Sequence, residues 1–126
     1  MVSYLEPAGR FAKCIDDAPP ETQRKLLREI LEHSEEVKQR LLRIHRAWQN
    51  SDLDKLDGFR RERNVAHPEI YGSILDDRNR EWLPQLLQAL ESSEPVLIAV
   101  GALHFTGKTG LLNELSERGH EVSKVA

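Results

Sequence analysis

Glu94-Pro95-Val96-Leu97-Ile98-Ala99-Val100-Gly101-Ala102-Leu103-His104-Phe105-Thr106-Gly107 is an apolar, β-branched run that stops at a glycine and delivers a histidine. Such a run reads as a strand buried on both faces, the kind found inside an α/β sheet. Ligands in open α/β sheets gather outside the carboxyl ends of the strands, which puts His104 where chemistry is usually done. Two weaker strand candidates flank this one: residues 2–5, and the alternating His120-Glu121-Val122-Ser123-Lys124-Val125. The expected fold is helix-rich α/β in a single domain, 1–126. A helical region occupies about residues 8–66, and a helix–strand–helix–strand unit about residues 67–126, its last two strands parallel through a right-handed crossover. The helices outnumber the strands, so the sheet is expected to be completed by a partner or a missing half.

Size and composition narrow the class. At 126 residues the chain is long enough for one core, and its 39% hydrophobic and 31% charged content describes a soluble globular protein. No apolar run approaches the roughly 20 residues needed to span a bilayer. Met1-Val2-Ser3-Tyr4-Leu5-Glu6 has neither a basic nor an apolar leader region, so no signal peptide is expected and the chain as given reads as cytoplasmic. A net charge of −3 gives no electrostatic reason to expect nucleic acid. Arg60, Arg61 and Arg63 cluster, but Asp52, Asp54, Asp57 and Glu62 surround them, as on a solvated helix face. The lone Cys14, among Phe11, Ala12 and Ile15, reads as a buried structural thiol.

Helical periodicity organises the rest. Phe11, Cys14 and Ile15 mark a helix over residues 8–17, and Pro20 suits the first turn of the next. Leu27, Ile30, Leu31, Val37, Leu41, Ile44 and Trp48 form an amphipathic stripe broken near Ser34. Ser51-Asp52 caps a short helix through Leu53, Leu56 and Phe59. Another starts at His67-Pro68-Glu69 and runs to Leu90, with Pro84 expected to kink or restart it. Leu111, Leu112 and Leu115 face inward on a last helix ended by Gly119.

Few residues offer chemistry. His104 is either a packed, hydrogen-bonded imidazole or a ligand, base or electrophile at the sheet mouth, with Gly101 permitting close backbone approach. Arg78 and Asn79 fall within or beside the apolar stripe of Leu75, Trp82 and Leu86, where a guanidinium or amide must be paired. They read equally as a structural salt bridge and carbonyl clamp, or as groups projecting toward His104. Glu6 could bring a carboxylate to the same mouth. His33, His45, His67 and His120 match no zinc spacing. Gly101 to Thr109 mimics a phosphate loop, with Gly107 before Lys108-Thr109. Five residues rather than four separate its glycines, and Leu103 and Phe105 fit a wrapping loop poorly.

Taken together, Arg78-Asn79-x-x-Trp82-Leu83-Pro84, the run from Val96 to His104 with Gly107, Gly110-Leu111-Leu112 and Arg118-Gly119-His120-Glu121-Val122 resemble the TraB/GumN family. Leu5-Glu6 is similar to that family's Leu-Glu segment. The resemblance covers almost the whole chain and is to the family's C-terminal half. It implies a mixed α/β fold related to the Tiki proteases, erythromycin-esterase-like enzymes and ChaN-like haem-binding lipoproteins. It also implies a metal-dependent hydrolase of peptide or ester bonds using two Gly-x-x-His motifs. By position His104 would be the metal ligand or general base, Glu6 an acid/base or second ligand, and Arg78, paired with Asn79, would stabilise an oxyanion or orient the carboxylate. Gly101 and Gly107 would border the cofactor.

The departures shape the functional expectation. Gly101 opens the single Gly-x-x-His here, and a catalytic metal wants about three protein ligands. The expected protein is a half-site hydrolase, completed by a homodimer partner or a missing N-terminal half, with a divalent metal as the implied cofactor. The alternative is a non-catalytic binding or regulatory module of a cell-envelope or exopolysaccharide system, which by resemblance would be periplasmic or envelope-associated.

Overall fold

The computed structural model describes residues 2–125. Four helices come first: α1 (Arg10–Asp16), α2 (Pro20–Glu32), α3 (Ser34–Gln49) and α4 (Leu53–Ala66). A short α5 (Pro68–Tyr71) passes through a π-helical turn (Gly72–Asp77) into α6 (Arg78–Leu90). Beyond an extended segment, a 3-10 turn (Ala102–Phe105) leads to α7 (Leu111–Glu117).

Local chemistry explains most of these boundaries. Pro20 stands in the first turn of α2, where its missing N–H was free of any intrahelical bond. The break between α2 and α3 falls at His33, one residue before Ser34, with no side-chain cap. Asp52 caps α4 by accepting the Lys55 N–H at 3.0 Å. That helix continues well past Phe59 because its later turns bury Arg60 and Arg63. Pro84 lies inside an unbroken α6; the irregularity in that region comes earlier, as the π turn.

The α/β expectation is wrong: no strand occurs among the described residues, and the fold is all-helical. Residues 96–100 run without any ladder. Ile98 and Val100 pack against Trp82, Leu86 and Leu111, whereas Leu97 is 94% exposed. The run is therefore covered on one face, by helices, and its main chain has no strand beside it to pair with. Residues 2–5 line the same cleft as residues 96–101 but do not pair with them, and residues 120–125 are likewise irregular. The helix–strand–helix–strand unit and its crossover are absent with them.

A second correction concerns charge. Arg61 is exposed, but Arg60 and Arg63 are buried, so the expected solvated face is half an interior one. Arg63 donates to both carboxylate oxygens of Glu29 on α2, at 2.8 and 3.0 Å. Arg40 of α3 donates to the same carboxylate at 2.8 Å, and the His67 Nε2 contacts it as well. One carboxylate thus joins α2, α3, α4 and the start of α5. Its pKa is drawn down to about 2, foremost by the hydrogen bonds from Arg63. Cys14 is buried as expected, its Sγ 2.9 Å from Arg10 Nη1. No helix among the described residues is long and apolar enough to cross a membrane.

Candidate functional site

The end of the π turn and the first turn of α6 set the site. Arg78 and Asn79 leave the helix on the side where the 3-10 turn presents His104. Glu6 reaches them from the N-terminal segment, which is fastened to α6 by Gln85 Nε2 donating to the Leu5 carbonyl at 2.9 Å. Arg78 grips Glu6 in a fork, with Nη2 to Oε1 at 2.7 Å and Nε to Oε2 at 3.0 Å. Trp82 Nε1 donates to Oε2 at 3.1 Å. These donors keep the Glu6 carboxyl ionised, its pKa lowered first by the hydrogen bonds from Arg78.

Asn79 fixes the imidazole. Its Nδ2 donates to two carbonyls, His104 O at 3.2 Å and Thr109 O at 2.9 Å, which leaves Oδ1 facing the ring. A flipped amide would set its oxygen against both carbonyls. Because Oδ1 can only accept, the His104 Nδ1 at 2.6 Å must carry the proton. The lone pair is then on Nε2, which accepts from Arg78 Nη1 at 3.4 Å. Protonating Nε2 would place two cations side by side in a buried setting. Burial first, and Arg78 next, push the His104 pKa down to about 4, so the ring is neutral at physiological pH. The Trp82 ring packs on it at 4.5 Å between centroids.

All four sequence-derived residues, Glu6, Arg78, Asn79 and His104, form this one chain of contacts. The two glycines have other positions. Gly101 lies at the boundary of two clefts, while Gly107 sits under Arg60 and lines neither. Reading the sequence missed the clamp that holds the His104 loop. Arg60 donates to the Thr106 carbonyl and to Thr109 Oγ1 and is paired with Asp76, while Thr109 Oγ1 donates to Asp76 at 2.6 Å. A buried arginine among acidic neighbours carries no sequence mark that separates it from a surface one.

Two clefts meet at Arg78. One, of about 440 Å³, is walled by Phe11, Leu41, Trp48, Leu75 and Leu103, with His104 in its lining. The other, of about 520 Å³, lies between residues 2–6 and residues 96–101.

The residues do not fit a metal centre. Among those described, no three His, Cys, Asp or Glu side chains stand close enough together to hold an ion. His104 offers one nitrogen beside a guanidinium, and both oxygens of Glu6 are occupied by that same guanidinium.

A helical domain with a part-buried Glu–Arg–His–Asn chain at the junction of two clefts is the class these observations define. The chain belongs to the TraB/PrgY/gumN family, whose family model matches residues 1–124. Neither a curated protein nor a solved structure gives a significant match.

Proposed function

We propose that this TraB/PrgY/gumN domain is a ligand-binding module that uses the apolar cleft walled by Phe11, Leu41 and Trp48, with Arg78 and His104 in its lining. The observation that carries the reading is how fully Arg78 is engaged. Four of its five N–H groups are taken, two by Glu6, one by the Ile74 carbonyl at 2.9 Å and one by His104 Nε2, which leaves a single Nη2–H for a developing oxyanion. His104 is also a weak base, since a group of pKa about 4 beside a cation has little drive to take a proton near neutrality. A cleft of about 440 Å³ is within the range of small-molecule sites.

One observation favours the hydrolytic reading. A ring that donates Nδ1–H to a fixed acceptor and presents Nε2 is in the state a metal-binding histidine adopts. The remaining ligands would then come from a second copy or another polypeptide. Titration of the full chain with N-phenyl-1-naphthylamine, a neutral apolar fluorophore, separates the two readings. Saturable binding that is lost in Leu41→Arg is expected. Turnover of casein or p-nitrophenyl acetate that requires added Zn²⁺ or Mn²⁺ and disappears in His104→Ala would overturn the binding-module reading. A dimer in sedimentation appearing only with the metal would point the same way.

A further inference from the structure

We infer that the outward face of α2 pairs with the same face of a second copy, so that the chain associates as a two-fold dimer through Leu27, Ile30 and Leu31. The helix is docked onto the rest of the molecule by its polar side. Thr22, Lys25 and Glu29 share one face at helical spacing. Thr22 Oγ1 donates to the Glu69 carboxylate, Lys25 Nζ donates to the Ala66 carbonyl at 3.0 Å, and Glu29 accepts from Arg63 of α4. A rotation of about 100° per residue then puts Leu27, Ile30 and Leu31 on the opposite side. They are 56%, 45% and 71% exposed, and none of the helix's 13 residues is buried. An amphipathic helix ordinarily turns its apolar stripe to the core; the Glu29 tie holds this one the other way round.

The surface of the whole chain says that something covers this stripe. It amounts to 9126 Å² at a mass of 14.5 kDa, whereas a compact monomer of that mass exposes about 6,900 Å², an excess of roughly 2,200 Å². Exposed residues 2–4 and 91–97 contribute to that excess, and α2 adds an uncovered apolar face. A standard interface takes about 800 Å² from each partner, which the excess accommodates. A two-fold contact needs a face that offers both projections and hollows. Leu31 projects, while a hollow of about 550 Å³ opens beside Leu27 and Ile30, over Ile15, Pro20 and Leu26. The bordering charges are already neutralised, Arg24 by Glu21 at 3.0 Å and Arg28 by Glu32 at 3.9 Å, so two such faces meet without like charges opposed. The same pairing argues against a membrane as the cover, because anionic lipid draws uncompensated Lys and Arg beside an apolar face. Leu27, Ile30 and Leu31 do not line the cleft at Arg78 and His104, so the dimer stands apart from the binding-module reading.

Sedimentation equilibrium of the full chain in EDTA, over a concentration series from micromolar upward, is expected to show reversible dimerisation. The chelator separates this dimer from one that a metal assembles. Leu27→Glu and Leu31→Glu each place a carboxylate at an exposed position, so the helical circular dichroism should stay that of the parent. Each should raise the dimer Kd more than about a hundredfold, because pairing would strip water from the new charge. In mixtures of labelled and unlabelled parent chains, isotope-filtered NOEs should connect methyl groups of Leu27, Ile30 or Leu31 between copies. A monomer at every concentration overturns the inference. So does a dimer whose Kd neither substitution moves, or whose intermolecular NOEs all lie elsewhere. Co-flotation with phosphatidylglycerol vesicles, abolished by the same substitutions, would give the face to a membrane and overturn it too.

Discussion

Asn79 decides which nitrogen of His104 carries a proton, and so which one is left to accept from Arg78. Replacing it by alanine leaves Nδ1–H and two carbonyls without their partner, and with water admitted to part of the gap the cost is expected at roughly 2–4 kcal/mol. Urea unfolding measures that loss, and side-chain nitrogen spectra should show a mixture of tautomers in place of one. The imidazole also makes a pH prediction. The folded pKa of about 4 lies below the ordinary value of 6.5, so between these values the unfolded chain binds the proton and the folded chain does not. Stability should therefore fall as pH drops from about 6.5 to about 4, by up to roughly 3 kcal/mol for the shift taken at face value. Melting temperatures across that window check it; His104→Gln, less stable at pH 7, should lose most of the slope.

At the scale of elements, the loop from His104 to α7 is held in place by Arg60. Gly107 has φ +76°, and a Cβ there would come 1.8 Å from Arg60 Nη1. Gly110 is tighter against main chain, its Cβ 2.2 Å from the Thr106 carbonyl oxygen. Gly107→Ala should thus be strongly destabilising in the parent. In an Arg60→Ala background it should cost mainly the left-handed backbone term, ~1–2 kcal/mol, with the contact to Asp57 Oδ1 at 3.3 Å remaining. Gly110→Ala should gain no such relief, because its obstacle is backbone. A double-mutant cycle by chemical denaturation reads both outcomes. The same scale shows where the sequence was legible. The apolar spacing of α2, α3 and α6, Pro20 in the first turn of α2 and the Asp52 cap were visible as local chemistry. Residues 96–100 were not, because a β-branched run states that apolar faces need cover and does not say whether strands or helices provide it. Ile98 and Val100 found helices. Arg78, Asn79, Glu6 and His104 could be singled out because polar groups beside an apolar stripe need partners. Arg60 could not, since its burial depends on Asp76 and Thr109, 16 and 49 residues away in the chain.

For the whole molecule, Glu29 is the tie among the first helices. It accepts from Arg63, Arg40 and His67, and His67 is almost fully buried. Glu29→Gln keeps the shape but leaves two arginines facing a neutral amide, so a loss of roughly 2–4 kcal/mol is expected. Because the Glu29 pKa is lowered from 4.5 to about 2, the stability it gives is present above about 4.5 and disappears as pH falls through 2. Acid unfolding should accordingly show two regions, His104 above pH 4 and Glu29 below it, and the glutamine variant should flatten the lower one. The Glu29 tie and the candidate site can thus be weakened separately.

Glu6 belongs to no helix, yet it reaches across to Arg78, and the peptide between it and α1 contains Gly9 at φ +87°. A protease that nicks this stretch would release a short tether while sparing every helix that follows. Circular dichroism would barely register the cut. Arg78 would be left with an uncompensated charge beside His104, and the two clefts that meet there should become more attractive to anions.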